Sequence, residues 1–418
     1  MAESTWFDLA RFGMFVHWSH CSQLGCDLSW PLVGGPGIPG VSIPVVPATT
    51  YHAGADTFCP EPGAARRWMA LARQAGMRYA VLTTKHHDGF ALWPTEATDW
   101  SIARTPYGGD LVAEFADAAR AEGLEVGFYF SLPDWHHPDY PALTDADRPY
   151  SFGNRRRPTP EAWARFVDVL FAQVRELLTG YGRVAVLWWD LGFERTPAEW
   201  RADELEAMCR ALQPGILLND RLVIGHGDFE TPEQFVPPLP PGHRWETCMT
   251  MNDSWGYVPR DVRYKSTRAL VDTLCEVAGR GGNLLLNVSP SPTGALPPEQ
   301  VERLDAIGAW MDRNGDAIHG TTAGLEPWQW YGPSTRAGDR IFCHLLQRPY
   351  DTVTVRGLPV RRVRSVRALG TGVALAHTSR STLIDLLFNS DPLGELVIEV
   401  PSAALDPLAT VIEICVDA

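Results

Sequence analysis

What the chain lacks narrows the reading first. It has no apolar run long enough to cross a bilayer, for which a helix needs about 20 consecutive apolar residues. Its start, Met1 to Trp6, has no basic stretch followed by an apolar core, so a soluble cytoplasmic chain is expected. It is poor in positive charge: 36 Lys and Arg against 50 Asp and Glu leave a net charge of −14. That balance argues against nucleic-acid and anionic-membrane partners, because phosphate binding needs a basic surface. The eight cysteines, at 21, 26, 59, 209, 248, 275, 343 and 415, form no Cys-x-x-Cys pair. A zinc or redox cluster is therefore not expected, and Cys21 and Cys26 are read as free thiols. There is no internal repeat, no low-complexity tract and no helical His-x-x-x-His pattern.

What is present is ordinary globular composition, 45% hydrophobic and 21% charged, over 418 residues. That is enough chain for more than one domain. Tryptophan is plentiful, with sixteen residues. Its flat apolar face and polar edge suit sugar rings as well as cores.

The stretch Val184-Ala185-Val186-Leu187-Trp188-Trp189-Asp190 is a short apolar run closed by one carboxylate. Such a run reads as a strand buried on both faces of a parallel sheet. An Asp at its end lies where strands meet loops, the mouth of a (β/α) barrel. Other runs end the same way: Phe12 to His17, Tyr79 to His86-His87, and Glu125 to Ser131 with Tyr129 near its end. Helical spacing at 62–76, 109–123, 160–178, 198–212, 261–279 and 298–315 alternates with strands, including 216–221, 244–247 and 284–288. Between 221 and 260 there is much loop and little helix. The expected fold class is α/β: a distorted (β/α)8-like barrel over 1–322, then a C-terminal antiparallel β-sandwich over 323–418. The sandwich strands are read at 340–346, 351–356, 362–369, 382–388, 394–400 and 409–416. Asn154 to Pro158 reads as a basic, solvated loop, and His136-His137 as a mobile loop at the pocket mouth.

Paired carboxylates among aromatics and histidines suit glycoside hydrolysis. A retaining enzyme needs an ionised nucleophile and a protonated partner about 5 Å away. Asp190 is the candidate nucleophile, and Glu230, Glu233 and Glu246 are candidate partners. Other chemistries fare worse. Adjacent His86 and His87 diverge on a strand end, which disfavours a metal site, so no metal or cofactor is expected. Gly279-Arg280-Gly281-Gly282 precedes a strand rather than opening a helix, which fails the test for a phosphate loop.

Five motifs occur in order: Phe15-Val16-His17-Trp18, Lys85-His86-His87-Asp88-Gly89-Phe90, Leu187-Trp188-Trp189-Asp190, Asn219-Asp220-Arg221 and Gly281-Gly282-Asn283-Leu284-Leu285-Leu286-Asn287. Together they resemble glycoside hydrolase family 29, the α-L-fucosidases, from about residue 7 to 320. The resemblance implies a barrel with a following β-sandwich and a retaining, exo-acting α-L-fucosidase on fucosylated glycans or glycosides. It implies Asp190 as nucleophile. Through Asp228-Phe229-Glu230-Thr231-Pro232-Glu233 it implies Glu233 as acid/base, with Glu230 and Glu246 as runners-up. It also implies His17, His86, His87, Tyr129, Arg221, Trp188, Trp255 and Trp30 as substrate-binding residues. One departure stands out. The family often has Glu-Trp after the first strand, whereas this chain has Asp27-Leu28-Ser29-Trp30, with Ser29 in the Glu position. A non-catalytic fucose-binding protein and a glycosidase for a related L-galacto sugar remain the alternatives. Residues 20–55 and 132–158 are expected to shape the leaving-group side.

Overall fold

The structure is a computed structural model that describes residues 6–35, 43–141 and 156–417. Seven parallel strands form its first sheet: β1 (Phe12–Val16), β2 (Tyr79–Lys85), β3 (Glu125–Ser131), β4 (Val186–Asp190), β5 (Leu217–Leu218), β6 (Glu246–Met249) and β7 (Asn283–Val288). Their order is β5-β4-β3-β2-β1-β7-β6. The short segment 229–233 spans the gap between β5 and β6. Isolated parallel bridges join Asn219 to Phe229, Glu230 to Trp245 and Glu233 to Cys248. The ring thus has eight staves, one of them too irregular to count as a strand. No helix stands between β5 and β6, which is the physical content of the distortion. β1 and β2 are buried at every position. A strand covered on both faces has no need of polar alternation, so these runs read as continuously apolar.

Helices α1 (Ala64–Gln74), α2 (Leu111–Ala121), α3 (Pro160–Gly180), α4 (Ala202–Leu212), α5 (Thr267–Gly279) and α6 (Pro298–Asn314) supply the outer layer. Side-chain caps fix several starts: Asp110 accepts from the Ala113 amide, Thr159 from Ala162 and Ser266 from Ala269. The Ser266 cap moves the start of α5 to Thr267, six residues later than its periodicity predicts. The helix expected over 198–212 is broken at Arg201, which sits at φ 53° between a one-turn helix and α4. The strand expected over 216–221 shortens to two residues because a side chain replaces the ladder. Asn219 Oδ1 accepts from the Trp189 amide at 2.7 Å, and its Nδ2 donates to the Trp189 carbonyl at 3.0 Å.

From Thr322 onward the chain is antiparallel. A five-stranded sheet runs β12 (Val363–Ala368), β15 (Thr410–Val416), β10 (Arg340–Leu345), β9 (Ser334–Ala337), β8 (Thr322–Ala323). A three-stranded sheet runs β11 (Thr352–Pro359), β14 (Leu393–Glu399), β13 (His377–Arg380). Cys343, Ile412 and Ile414 of one sheet and Val355, Leu396 and Ile398 of the other share one apolar core. The stretch 382–388 is a correction to the expected strand: Leu383–Phe388 is a short helix, because the Thr382 hydroxyl caps the Asp385 amide and turns the chain. The sandwich packs on the barrel through Phe342 and Val411, which join the barrel core, and the Trp310 indole donates to the Ala409 carbonyl at 2.8 Å. Each such buried side chain is worth about 1.5–3 kcal/mol.

Candidate active site

The C-terminal ends of the staves surround a cavity of about 510 Å³. That volume suits a monosaccharide and part of a leaving group. Period-2 alternation puts Phe15 with His17, Trp188 with Asp190 and Glu246 with Cys248 on the inner side of their staves. All ten residues singled out in the sequence line this cavity: Asp190, Glu233, His17, Trp30, His86, His87, Tyr129, Trp188, Arg221 and Trp255. The structure adds Phe15, Asp27, Ile43, Leu191, Phe193, Gln234, Cys248 and Asp253. Phe15 and Cys248 were detectable by the same alternation. The loop residues had no such signal. Residues 36–42 and 142–155, within the stretches expected to shape the leaving-group side, lie outside the described residues, as do Asn154 and Arg155 of the basic run.

The turn after β4 builds the centre of the site. Leu191 adopts φ 57°, a left-handed conformation disfavoured for a residue with a side chain. At Gly192 a Cβ would fall 1.6 Å from the Leu222 carbonyl oxygen, so only glycine allows this approach. The Gly192 amide donates to the Arg221 carbonyl at 3.1 Å. This contact brings Arg221 alongside Asp190. Arg221 Nη1 donates to Asp190 Oδ1 at 3.2 Å, and Nη2 donates to Glu233 Oε2 at 2.8 Å. Its Nε donates to Thr231 Oγ1 at 3.0 Å, and its guanidinium lies 4.6 Å from the Trp188 ring centre. One guanidinium therefore touches both carboxylates and is itself held by a hydroxyl and an indole.

Asp190 takes further donors. The Tyr129 hydroxyl reaches Oδ2 at 2.8 Å, the Leu191 amide reaches Oδ1 at 3.0 Å, and His87 Nε2 lies 3.9 Å from Oδ2. Burial pushes this carboxyl up, but the charges of Arg221 and His87 and the Tyr129 bond outweigh it. Asp190 is held below the usual carboxylate range and is ionised. Burial and the Asp190 charge push Tyr129 well up, so its hydroxyl keeps its proton and remains a donor.

Each histidine is oriented by a partner on Nδ1. His17 faces Asn287 Oδ1 at 2.7 Å, His86 faces Ser29 Oγ at 2.6 Å and His87 faces Ser131 Oγ at 2.7 Å. The Nδ1 partners leave the opposite ring edges for the cavity. Burial pushes His17 down to about 3 and His86 well below its ordinary value, so both are neutral. A neutral imidazole donates on one nitrogen and accepts on the other, which suits hydroxyl groups. The rings of His86, Tyr129 and Trp188 stack in series at 5.8 and 5.7 Å. Trp30 lies against His87 at 5.2 Å and Trp255 against His17 at 5.0 Å, giving two indole walls. Among the described residues no three His, Cys, Asp or Glu side chains converge as metal ligands.

Three other candidates lie outside the cavity. Glu246 is fully buried beneath it, where Oε1 accepts from the Trp188 indole at 3.0 Å and Oε2 from the Tyr79 hydroxyl. Burial pushes Glu246 up to about 7. It supports the floor and cannot reach a substrate. Glu230 points to the opposite side of the sixth stave from Glu233 and pairs with His243 at 2.8 Å. In the His136-His137 stretch, His136 stacks on Trp100 at 4.4 Å, and Asp134 accepts from both amides.

A family model described as Alpha-L-fucosidase matches residues 2–316. Among solved structures, the chain is similar to alpha-L-fucosidase isoenzyme 1 from Paenibacillus thiaminolyticus. That match has 36% identity and a TM-score of 0.84, covering 99% of this chain and 98% of that one. It is also similar to an alpha-L-fucosidase from Bacteroides thetaiotaomicron, solved as a trapped covalent intermediate with 2-fluoro-fucosyl fluoride. Here identity is 27% and the TM-score 0.81, covering 99% and 95% of the two chains. An alpha-L-fucosidase of Branchiostoma floridae is 30% identical over 385 residues, covering 85% of this chain and 81% of that protein.

Proposed function

The chain belongs to the alpha-L-fucosidase family, and from that membership we propose an exo-acting, retaining hydrolase that releases terminal α-L-fucosyl groups from fucosylated glycans or glycosides. Asp190 is the nucleophile and Glu233 the acid/base. The observation that carries this reading is the shared guanidinium: Arg221 holds an oxygen of each carboxylate within one cavity. Retaining glycosidases use carboxyl groups only about 5 Å apart, and a common guanidinium suits that spacing.

In the first step an oxygen of ionised Asp190 attacks C1 of the sugar. The bond from C1 to the glycosidic oxygen breaks, and that oxygen takes the proton of Glu233. Glu233 Oε2 is tied to Arg221, which leaves Oε1 to carry the proton. In the second step Glu233 removes a proton from water as the water oxygen attacks C1. The ester to Asp190 breaks, and both carboxyl groups return to their starting states. His17, His86 and His87 hold the sugar hydroxyls, the first two as neutral rings. Trp30 and Trp255 close off the walls, and the indole faces also suit the C6 methyl, whose burial contributes about 0.8 kcal/mol.

Hydrolysis of 4-nitrophenyl α-L-fucoside by the purified protein tests the activity. Release of nitrophenol is expected. An inert protein that still binds L-fucose would replace the enzyme by a fucose-binding protein. Turnover of the α-L-galactoside alone would shift the substrate to that sugar.

A further inference from the structure

The hydrogen bonds behind the three cavity histidines determine which ring nitrogen carries the proton. A neutral imidazole has one N–H, and the partner of one nitrogen decides what the other nitrogen offers. His17 and His86 are both neutral. Their Nδ1 partners are of opposite kinds.

Behind His17 stands Asn287. Its Nδ2 donates to the Trp255 carbonyl at 2.8 Å, which orients the amide with Oδ1 toward His17 Nδ1, at 2.7 Å. An amide oxygen only accepts. His17 therefore carries its proton on Nδ1, and its Nε2 is a bare acceptor. Behind His87 stands Ser131. Its hydroxyl donates to the Pro133 carbonyl at 2.9 Å, and its oxygen lies 2.7 Å from His87 Nδ1. The one hydroxyl proton is taken by Pro133, so Ser131 accepts from His87 Nδ1–H.

Behind His86 stands Ser29, and here a serine acts in reverse. Ser29 is fully buried in the loop after β1. Its Oγ accepts from the Asp88 amide at 2.9 Å and lies 2.6 Å from His86 Nδ1. Among the described residues its hydroxyl proton has no other acceptor, and pointed elsewhere it would be buried without a partner. The hydroxyl therefore donates to His86 Nδ1, which places the ring proton on Nε2.

We propose that Ser29 is a positioning residue that holds His86 in the Nε2–H tautomer, opposite to His17, so that the cavity sets a nitrogen donor beside a nitrogen acceptor. The consequence for binding rests on the fucosidase reading. The two rings stand 6.2 Å apart, centre to centre, at 73°. A sugar hydroxyl both donates and accepts, and this pair offers it one partner of each kind. With His86 in the other tautomer, two bare nitrogens would face the ligand, and one hydroxyl proton could serve only one of them.

The test is two-bond proton–nitrogen correlation spectroscopy of the full chain labelled with 15N-histidine at neutral pH, assigned through the His17→Gln and His86→Gln variants. The wild type is expected to show His86 with its proton on Nε2 and His17 with its proton on Nδ1. His86 protonated on Nδ1, or both rings in one tautomer, would overturn the proposal without any change at Ser29. In Ser29→Ala the His86 Nδ1 resonance should move toward that of an unbonded ring nitrogen while His17 stays in place, and an unchanged His86 pattern overturns Ser29 as the cause. A residue that merely filled space would leave the His86 nitrogens as they were. On 4-nitrophenyl α-L-fucoside the same variant should lose roughly 3- to 10-fold in kcat/KM, the range of one neutral hydrogen bond. Full retention rejects the link to binding. If the wild type hydrolyses nothing, the reaction reading has failed and the spectra still decide on Ser29.

Discussion

Substituting Arg221 by Met removes the guanidinium that touches both carboxylates while keeping a long side chain over Trp188. Its Nη1 lies 3.2 Å from Asp190 Oδ1. At an effective dielectric of 20, unit charges at that distance attract by about 5 kcal/mol. Desolvation of the partners offsets much of this, leaving about 2 kcal/mol. A shift of one pH unit corresponds to about 1.4 kcal/mol, so the Asp190 carboxyl should rise by between one and two pH units. The sign follows from its starting point. Asp190 is held below its ordinary 3.8 despite burial, so it is ionised and nucleophilic down to acid pH. Without Arg221, burial is opposed by His87, the Tyr129 hydroxyl and the Leu191 amide. The assay is the pH profile of kcat/KM on 4-nitrophenyl α-L-fucoside, which reports the free enzyme. The acid limb should move up by one to two units, with activity at neutral pH also reduced. The pair also stabilises the fold above the Asp190 value and loses that contribution as pH falls through it, so the variant should melt lower at pH 7. A folded variant whose acid limb stays in place would refute the reasoning.

Glu246→Gln should stabilise the protein at high pH. Burial raises this carboxyl from the ordinary 4.5 to about 7. The stability it contributes is complete below pH 4.5 and is lost as pH rises through 7, which amounts to about 3 kcal/mol. The stability gain of the Glu246→Gln variant over wild type should approach that value at pH 8 and drop below about 1 kcal/mol at pH 5; a difference in melting that ignores pH contradicts it. Glu233→Ala should slow alkyl fucosides and glycans far more than aryl fucosides, since only poor leaving groups need the proton. Equal losses on both would point to another acid. Asn219→Ala should cost about 2–3 kcal/mol in denaturant unfolding, because both Trp189 backbone groups lose their partner. A loss under about 0.5 kcal/mol would mean that water replaces the amide.

The legible part of this molecule was the rhythm of buried strands. His17, His86, His87, Tyr129 and Asp190 stood out because each interrupts or closes an apolar run, and a parallel barrel delivers such positions to one mouth. The choice of Glu233 over Glu230 and Glu246 came from the family resemblance of Asp228 to Glu233 and not from local periodicity, since it depends on one irregular stave. In an extended segment Phe229, Thr231 and Glu233 share a side while Glu230 faces away. That alternation becomes readable only once the 229–233 ladder is known. Glu246 shares the inner side with Cys248 but lies one layer deeper, behind Trp188, and strand direction alone does not report depth. The helix at Leu383–Phe388 was missed because its five apolar residues match a strand as well as a helix, and the Thr382 cap decided between them. The sharing of Arg221 depends on Gly192 meeting Leu222, a contact between two turns that no local pattern encodes.

The central claim is that the sugar passes through an ester on Asp190. The most direct test is to incubate the protein with 2-deoxy-2-fluoro-L-fucosyl fluoride, digest it and locate the adduct by mass spectrometry. The fluorine slows both steps, and the fluoride leaving group restores the first. The account predicts one added 2-deoxy-2-fluorofucosyl group on the peptide that contains Asp190, absent in Asp190→Ala. An adduct on any other residue, or turnover of the fucoside with Asp190→Ala at more than a few per cent of wild type, would contradict it.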